Sequence, residues 1–146
     1  MGTLQITTDK DRLDIGLIHR FLSNEAYWSR GISREVVERA IDGSLCFGGY
    51  LDGRQVAFAR VVTDGATFGY LADVFVAPEH RGQGHARTLM TAVMAHPKLQ
   101  GLRRFSLATN DAHGLYASFG FTAPARPQAW MEKFDPEIYT RAATAP

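Results

Sequence analysis

Cysteine is nearly absent from this sequence of 146 residues, in which Cys46 is the only one. A lone cysteine cannot form an internal disulfide, which excludes the small disulfide-stabilised domains and is compatible with a reducing compartment. An excess of one charge is also lacking, because 16 Lys and Arg residues offset 15 Asp and Glu residues and leave a net charge of +1. Such a balance provides no strong field that would favour nucleic acid or an anionic membrane surface as a partner.

Long apolar runs are missing too, and none approaches the roughly 18 residues that a membrane-spanning helix needs. The N-terminal residues show no basic region followed by an apolar stretch, so we see no secretory signal and expect a cytoplasmic protein without a membrane partner. His19, His80, His96 and His113 lack ligand spacing with Cys or acidic residues. We therefore predict no metal site.

The length and composition are those of one globular domain, with 45% hydrophobic and 21% charged residues. No internal repeat or low-complexity segment divides the chain, so we expect a single domain over residues 1–146, with a frayed tail from Thr140 to Pro146. Hydrophobic periodicity then predicts the elements. In order these are a strand over Leu4–Thr7, a helix capped by Asp11, a helix from Ser33 to Gly43, strands over Leu45–Leu51, Gln55–Thr63 and Phe68–Val76, a helix from Gly84 to His96, a strand over Arg104–Ala108, a helix over Ala112–Phe119, and closing strands at Phe121 and Met131–Phe134.

The most informative stretch runs from Asp73 to Arg87, where a strand stops at Pro78 and a helix begins after Gly84. Glycines in such a loop let the backbone approach a ligand, and a helix N-terminus presents unpaired N–H groups and the positive end of its dipole. With Arg81 and Arg87 beside it, the loop is predicted to bind an anion, most naturally a phosphate.

The pattern Arg81-x-x-Gly84-x-Ala86 resembles the pyrophosphate loop of the GNAT superfamily of acyl-CoA-dependent N-acyltransferases. A Walker loop is excluded because Gly84 is not followed by Lys and Ser or Thr. The flanking Val76-x-Pro78-Glu79-x-Arg81 and the later Leu115-Tyr116-x-x-Phe119-Gly120-Phe121 strengthen the resemblance, which covers residues 70–121.

The resemblance to that superfamily implies an α/β (α+β) fold with a mixed central sheet, in which an antiparallel meander leads to splayed parallel strands flanked by four helices. It further implies acetyl-CoA as cofactor, with its pantetheine arm in the gap between the splayed strands. The residues that it implies for cofactor binding are Val74, Phe75, Val76, Arg81, Gly82, Gln83, Gly84, His85, Ala86, Arg87, Thr109, Asn110 and Tyr116. His85 departs from the aliphatic residue common at its position, so it either donates to phosphate or faces solvent.

By the same resemblance, Tyr116 is the candidate acid that protonates the leaving thiolate, or else it orients the sulfur. A phenol titrates near about 10 and stays protonated at neutral pH, which suits a donor. Asp73 lies in a strand similar to that of spermidine/spermine acetyltransferases, but Ala72 replaces their preceding Glu. Asp73 is therefore a candidate base, an anchor for the amine, or a structural carboxylate. Tyr27 and Trp28 are candidate walls of the acceptor pocket, or else a hydrophobic plug.

These features predict an acetyl-CoA-dependent N-acetyltransferase that acts on a small-molecule primary amine by direct attack. No cysteine or serine lies in the motif region as a nucleophile, so we expect no acyl-enzyme. Two alternatives stay open at this stage, namely an amine of a protein or peptide as acceptor, and a non-catalytic acyl-CoA sensor. A homodimer is one expected assembly, since dimers are frequent among similar proteins.

Overall fold

The computed structural model describes residues 2–144. Its strands are β1 (Gln5–Thr7), β2 (Leu45–Leu51), β3 (Arg54–Thr63), β4 (Phe68–Val76) and β5 (Arg104–Ser106). Its α-helices are α1 (Ile15–Arg20), α2 (Arg34–Asp42), α3 (His85–Ala95), α4 (His113–Ala117) and α5 (Ile138–Thr144). A π-helical turn over Phe21–Glu25 extends α1.

One mixed sheet of five strands forms the centre, in the order β1-β2-β3-β4-β5. The first four strands pair antiparallel, and β5 pairs parallel to β4. The turn at Asp52-Gly53 joins β2 to β3, since both residues have the positive φ that a tight hairpin needs. The predicted meander followed by a parallel strand is confirmed, and α5 is added to the four expected helices.

The two parallel strands separate soon after they meet. β5 pairs only with residues 68–70 of β4, whereas β4 continues for six residues to Val76. Within this free part β4 carries a bulge, where Asp73 and Val74 together face Ala59 of β3 and Asp73 adopts a φ of 56°. Because a bulge bends its strand, β4 turns away from β5 and leaves a gap between the strands.

The core has two layers, one on each face of the sheet, because alternate strand residues point to opposite faces. Val76 and Ala57 pack with Leu89, Met90 and Val93 of α3 on one face. The neighbouring residues point to the other face, where they pack against the first two helices; this second cluster contains Phe58, Phe75, Ile18, Phe21, Leu22, Val37 and Ile41.

Two sequence-based expectations were wrong, one on a helix cap and one on the closing strands. Asp14 caps α1 by accepting from the Leu17 N–H at 3.0 Å, whereas Asp11 lies inside a short 3₁₀ turn. Neither Phe121 nor Met131–Phe134 forms a strand, since Pro124 and Pro127 lie in the connection and the segment runs over the surface without joining the sheet. The frayed tail expected from Thr140 to Pro146 stays a prediction: its residues up to Thr144 belong to α5, and Ala145 and Pro146 lie outside the described residues.

No helix within residues 2–144 is both long and apolar enough to cross a membrane. The same residues contain no group of three or more His, Cys, Asp or Glu side chains arranged to hold a metal ion.

Candidate active site

The loop between β4 and α3 has the geometry of an anion site. Gly82 and Gly84 adopt φ of 77° and 82°, and the space around both is open, with no atom within 4 Å of the point that a β-carbon would occupy. No side chain caps α3, and its first paired amide is the Thr88 N–H, which donates to the Gly84 carbonyl at 3.1 Å. The amides of residues 85–87 therefore lack partners within the helix.

Two arginines flank this loop and are held by contacts within the chain. The Arg81 Nε donates to the Val76 carbonyl at 3.0 Å. Arg87 donates to the Ser118 hydroxyl at 3.1 Å and lies over the ring of Phe119, so it ties the first turn of α3 to the end of α4. Each guanidinium has further N–H groups, because arginine carries five donors. Gln83, by contrast, is exposed to solvent.

His85 is buried, with only 9% of its surface exposed, so the alternative in which it faces solvent is wrong. It lies on the face of α3 that also carries Leu89 and Val93, one and two turns further on. Its Nε2 is a buried side-chain atom with no hydrogen-bond partner among the described residues. A buried polar atom without a partner costs free energy, which makes a ligand or ordered water at this position favourable.

The free part of β4 presents backbone donors to the gap. The Ala77 N–H donates to the Val56 carbonyl of β3 at 2.7 Å. Because successive amides of a strand point to opposite edges, the Val76 N–H points away from β3, as does that of Val74. The Phe75 N–H points toward β3, and its ring stacks on Phe21 with centroids 4.0 Å apart. Only every second amide in this part of β4, those of Val74 and Val76, therefore faces the gap.

Tyr116 lies on α4 and lines an open cavity of about 1550 Å³ beside β5. Its ring contacts Phe121 at 6.2 Å between centroids. Burial raises the pKa of the Tyr116 phenol above its usual value, and the nearby Asp111 and Tyr27 raise it further. The phenol therefore stays protonated well above neutral pH.

The loop between α1 and α2 joins the two sides of the gap through adjacent aromatic residues. On the β4 side, the Trp28 indole N–H donates to Asp73 Oδ1 at 2.8 Å. On the β5 side, the Tyr27 hydroxyl accepts from the Asn110 N–H at 3.2 Å. The two rings meet edge to face, 5.0 Å apart. We call this pair of residues the aromatic bridge, and the structure brings it to the same end of the sheet as Asp73 and Tyr116.

Asp73 is more heavily bonded than the sequence suggested. Its Oδ2 accepts from the Arg60 Nε at 2.7 Å, and the ion pair is largely buried, with side-chain exposures of 19% for Arg60 and 10% for Asp73. Arg60 also donates to the Ser44 hydroxyl, which in turn donates to a carbonyl of α2. Both oxygens of Asp73 thus accept a hydrogen bond from the protein itself.

Thr109 has a local role in this structure. Its hydroxyl accepts from the N–H groups of Asp111 and Ala112, at 3.3 and 3.1 Å, and so stabilises the turn into α4. Asn110 uses its backbone amide for the aromatic bridge and keeps its side chain exposed.

Cys46 is buried, and burial raises the pKa of its thiol to about 11, which makes it unsuited to act as a nucleophile.

Sequence reasoning missed Arg60. A signal for it was available, because Arg60 interrupts the apolar pattern of β3 just as Asp73 interrupts that of β4, the next strand along the chain. Opposite charges in adjacent strands pair when the register brings them together. The bulge, which the sequence did not reveal, sets that register.

Comparison with known proteins bears on the family to which the chain belongs. The acetyltransferase (GNAT) domain model matches residues 42–123, more than half of the chain. The chain belongs to the GNAT family. The acetyltransferase-like protein FG08082 of Gibberella zeae is 33% identical over 137 residues, and the match covers 79% of this chain and 76% of that protein.

Solved structures of related proteins extend the comparison. A GNAT-family protein from Xanthomonas campestris is 63% identical, with a TM-score of 0.93 over 96% of this chain and 99% of that one. Glucosamine-6-phosphate N-acetyltransferase from Arabidopsis thaliana is 18% identical, with a TM-score of 0.62 over 91% of this chain and 99% of that one. This second likeness shows that the GNAT fold is shared.

The Arg60–Asp73 pair gives a first prediction. Replacing Arg60 with Met should lower the free energy of unfolding by about 3 kcal/mol, because it leaves a buried carboxylate without its counter-ion. It should also shift the Trp28 indole N–H resonance, which depends on the position of Asp73. Urea unfolding and ¹⁵N NMR measure the two effects.

Arg34→Met is the matched control, since Arg34 forms an exposed pair with Glu38 at 3.7 Å. That change should cost no more than about 0.5 kcal/mol. Equal losses in the two variants would contradict a supporting role for Arg60.

Proposed function

We propose that this GNAT protein is an acetyl-CoA-dependent N-acetyltransferase that acts on a primary amine of a small molecule. One observation carries the proposal: an uncapped helix N-terminus with an open glycine loop lies directly after a strand whose free amides edge a gap in the sheet. A diphosphate fits the first feature, and an amide-containing arm such as pantetheine fits the second.

The residues present suit coenzyme A. Added β-carbons at Gly82 and Gly84 would occupy space that is open in the structure, as expected for a loop that a diphosphate approaches closely. The orphaned Nε2 of His85 offers one further polar contact. The holding set that we propose is Val74, Val76, Arg81, Gly82, Gln83, Gly84, His85, Ala86, Arg87, Asn110 and Tyr116. When bound, acetyl-CoA would supply an activated thioester.

The chain's own groups account for the remaining chemistry. The Val76 N–H points into the gap, where it would stabilise negative charge that develops on the carbonyl oxygen during attack. Tyr116, with its raised pKa, would hold a proton for the departing sulfur. The amine would attack directly, because the buried Cys46 has no role as a nucleophile.

Asp73 is better suited to holding a neighbouring side chain in place than to removing a proton from the acceptor amine. Both of its oxygens already accept hydrogen bonds, and Arg60 compensates its charge. We therefore assign it the task of holding Trp28 in the acceptor wall. An acceptor amine with a pKa near about 10.4, like that of lysine, would then lose its proton to water.

The aromatic bridge favours a small acceptor over a protein. The loop is bonded to Asp73 on one side of the gap and to Asn110 on the other, so it spans the gap there and leaves less room for an extended peptide than for a small amine. We place the enzyme in the cytoplasm, because a single buried free cysteine suits a reducing compartment. We also expect a homodimer.

A thiol-release screen tests the function. Acetyl-CoA is offered with amino acids, polyamines, aminoglycosides and short peptides, and free thiol is followed over time. We expect release with one of the small amines. Binding of coenzyme A by calorimetry without release from any acceptor would instead favour the acyl-CoA sensor.

Replacement of Gly84 with Val tests the cofactor loop. The β-branched side chain would fill the space that the diphosphate needs and would strain a φ of 82°, so affinity for coenzyme A should fall at least about 100-fold by calorimetry. Gly53→Val is the matched control, because Gly53 has a φ of 80° and equally open surroundings in the β2–β3 turn. Retained affinity in the Gly84 variant would reject the loop as the binding site.

Replacement of Tyr116 with Phe tests the acid. Turnover should fall about 100-fold, with little change in coenzyme A affinity, because only the proton donor is removed. The wild-type rate should decline as pH rises through the raised Tyr116 pKa, above the ordinary phenol value, and the variant should lack this alkaline limb. Tyr139→Phe serves as control, and unchanged turnover in the Tyr116 variant would remove the acid role.

A further inference from the structure

One face of the central sheet is only partly covered by helices. The first two helices pack on it at Phe58, and this cover ends at Arg60, whose Nη1 donates to the Ser44 hydroxyl just after α2 at 3.2 Å. β2 begins only at Leu45, opposite Val61, so β3 and β4 extend beyond both β2 and α2. The part of this face beyond Arg60 is therefore left open to solvent.

The open part of this face is apolar and aromatic. Val62 of β3 is paired with Tyr70 of β4, and Phe68 lies two residues before Tyr70, so the three side chains point to the same side of the sheet. The exposed fractions of Val62, Phe68 and Tyr70 are 42%, 37% and 39%. A contiguous patch of exposed apolar side chains marks a site of interaction with another molecule.

This patch continues to the candidate acceptor wall. Ala72 follows Tyr70 on the same face and is paired with Arg60, and next to it Asp73 accepts from the Trp28 indole N–H at 2.8 Å. At about 3.3 Å per strand residue, Asp73 lies about 10 Å from Tyr70, which a small amine can span. The surface that we call the aromatic face consists of Trp28, Val62, Phe68, Tyr70 and Ala72.

The aromatic face offers no free negative charge. Among the described strand residues on this side of the sheet, the only acidic one is Asp73, whose two oxygens accept from Trp28 and Arg60. The charge beside the face is positive, because Arg104 is paired with Phe68 and has no ion pair within the described residues. A ligand with several positive charges would find an arginine here and no unoccupied carboxylate, which disfavours it.

We propose that the aromatic face holds the body of the acceptor, which is a primary amine with an apolar body and a single positive charge. Its amine group lies at the Trp28 end, next to the gap, and its hydrocarbon part covers Ala72, Tyr70 and Val62. Removal of apolar surface from water supplies the binding free energy, since no charge pair is available. The identity of this ligand as the acceptor rests on the proposed acetyl transfer, whereas its binding can be measured without transfer.

Two amines that differ only in charge test the assignment. Hexylamine has one ammonium group, and 1,6-diaminohexane carries a second one on the same carbon chain. Each is titrated into ¹⁵N-labelled protein, with and without coenzyme A, and the dissociation constant is read from the resonances of residues 68–72 and of the Trp28 indole. We expect hexylamine to bind at least about 10-fold more tightly than the diamine, and than propylamine, whose apolar chain is shorter.

Replacement of Val62 with Glu provides a matched variant. The new carboxylate should raise the affinity for the diamine by about 5-fold and lower that for hexylamine, because it pairs with the second ammonium group and removes apolar surface. Thr91→Glu is the control, since it adds the same charge at an exposed position of α3, which packs on the opposite side of the sheet. That variant should keep the wild-type preference.

Binding and transfer give separate answers. Thiol release from acetyl-CoA in the same order of amines supports both the aromatic face and the acetyltransferase, whereas binding in this order without release supports the aromatic face and contradicts the transfer. Equal affinities for the two amines, binding of neither, an unchanged preference in the Val62 variant, or resonance shifts on another surface would overturn the proposal. Shifts that follow protein concentration and not added amine would also overturn it, because they would assign the aromatic face to a second copy of the chain.

Discussion

The short pairing between β4 and β5 is the constraint on which the rest of the site depends. Three residue pairs hold the two strands together, and beyond them β4 bends away at the bulge. A longer ladder would satisfy the amides of Val74 and Val76 and leave no room between the strands. These two amides are therefore free because the bulge ends the pairing early. Each of them needs a hydrogen-bond partner from outside the sheet.

Asp73 connects that backbone feature to the aromatic bridge. Its positive φ belongs to the bulge, while its carboxylate accepts from Arg60 in β3 and from Trp28 in the α1–α2 loop. One residue thus takes part in the bend of the strand and fixes the position of Trp28. An ion pair in this setting contributes less to net stability than to the choice of one arrangement, since its desolvation offsets much of its attraction.

Much of the fold and of the candidate site could be predicted from the sequence, because it is determined by residues close together in the chain. The Asp52-Gly53 turn, the Ser33 cap and the glycine loop after Pro78 are set by residues next to each other in the chain, and each lies where expected. The features that escaped prediction depend on contacts distant in sequence. Three such features appear only when the strands are in register. They are the bulge at Asp73, the pairing of Asp73 with Arg60, and the contact between Tyr27 and Asn110, which are 83 residues apart in the sequence.

The burial of Cys46 has a practical consequence for the study of this protein. Cys46 is 1% exposed, and burial raises the pKa of its thiol to about 11, so the thiol is protonated near neutral pH. In a test of the proposed reaction, colorimetric reagents that trap thiolates would therefore report released coenzyme A and not the folded polypeptide. A single engineered surface cysteine would likewise accept a fluorophore without competition from the native residue.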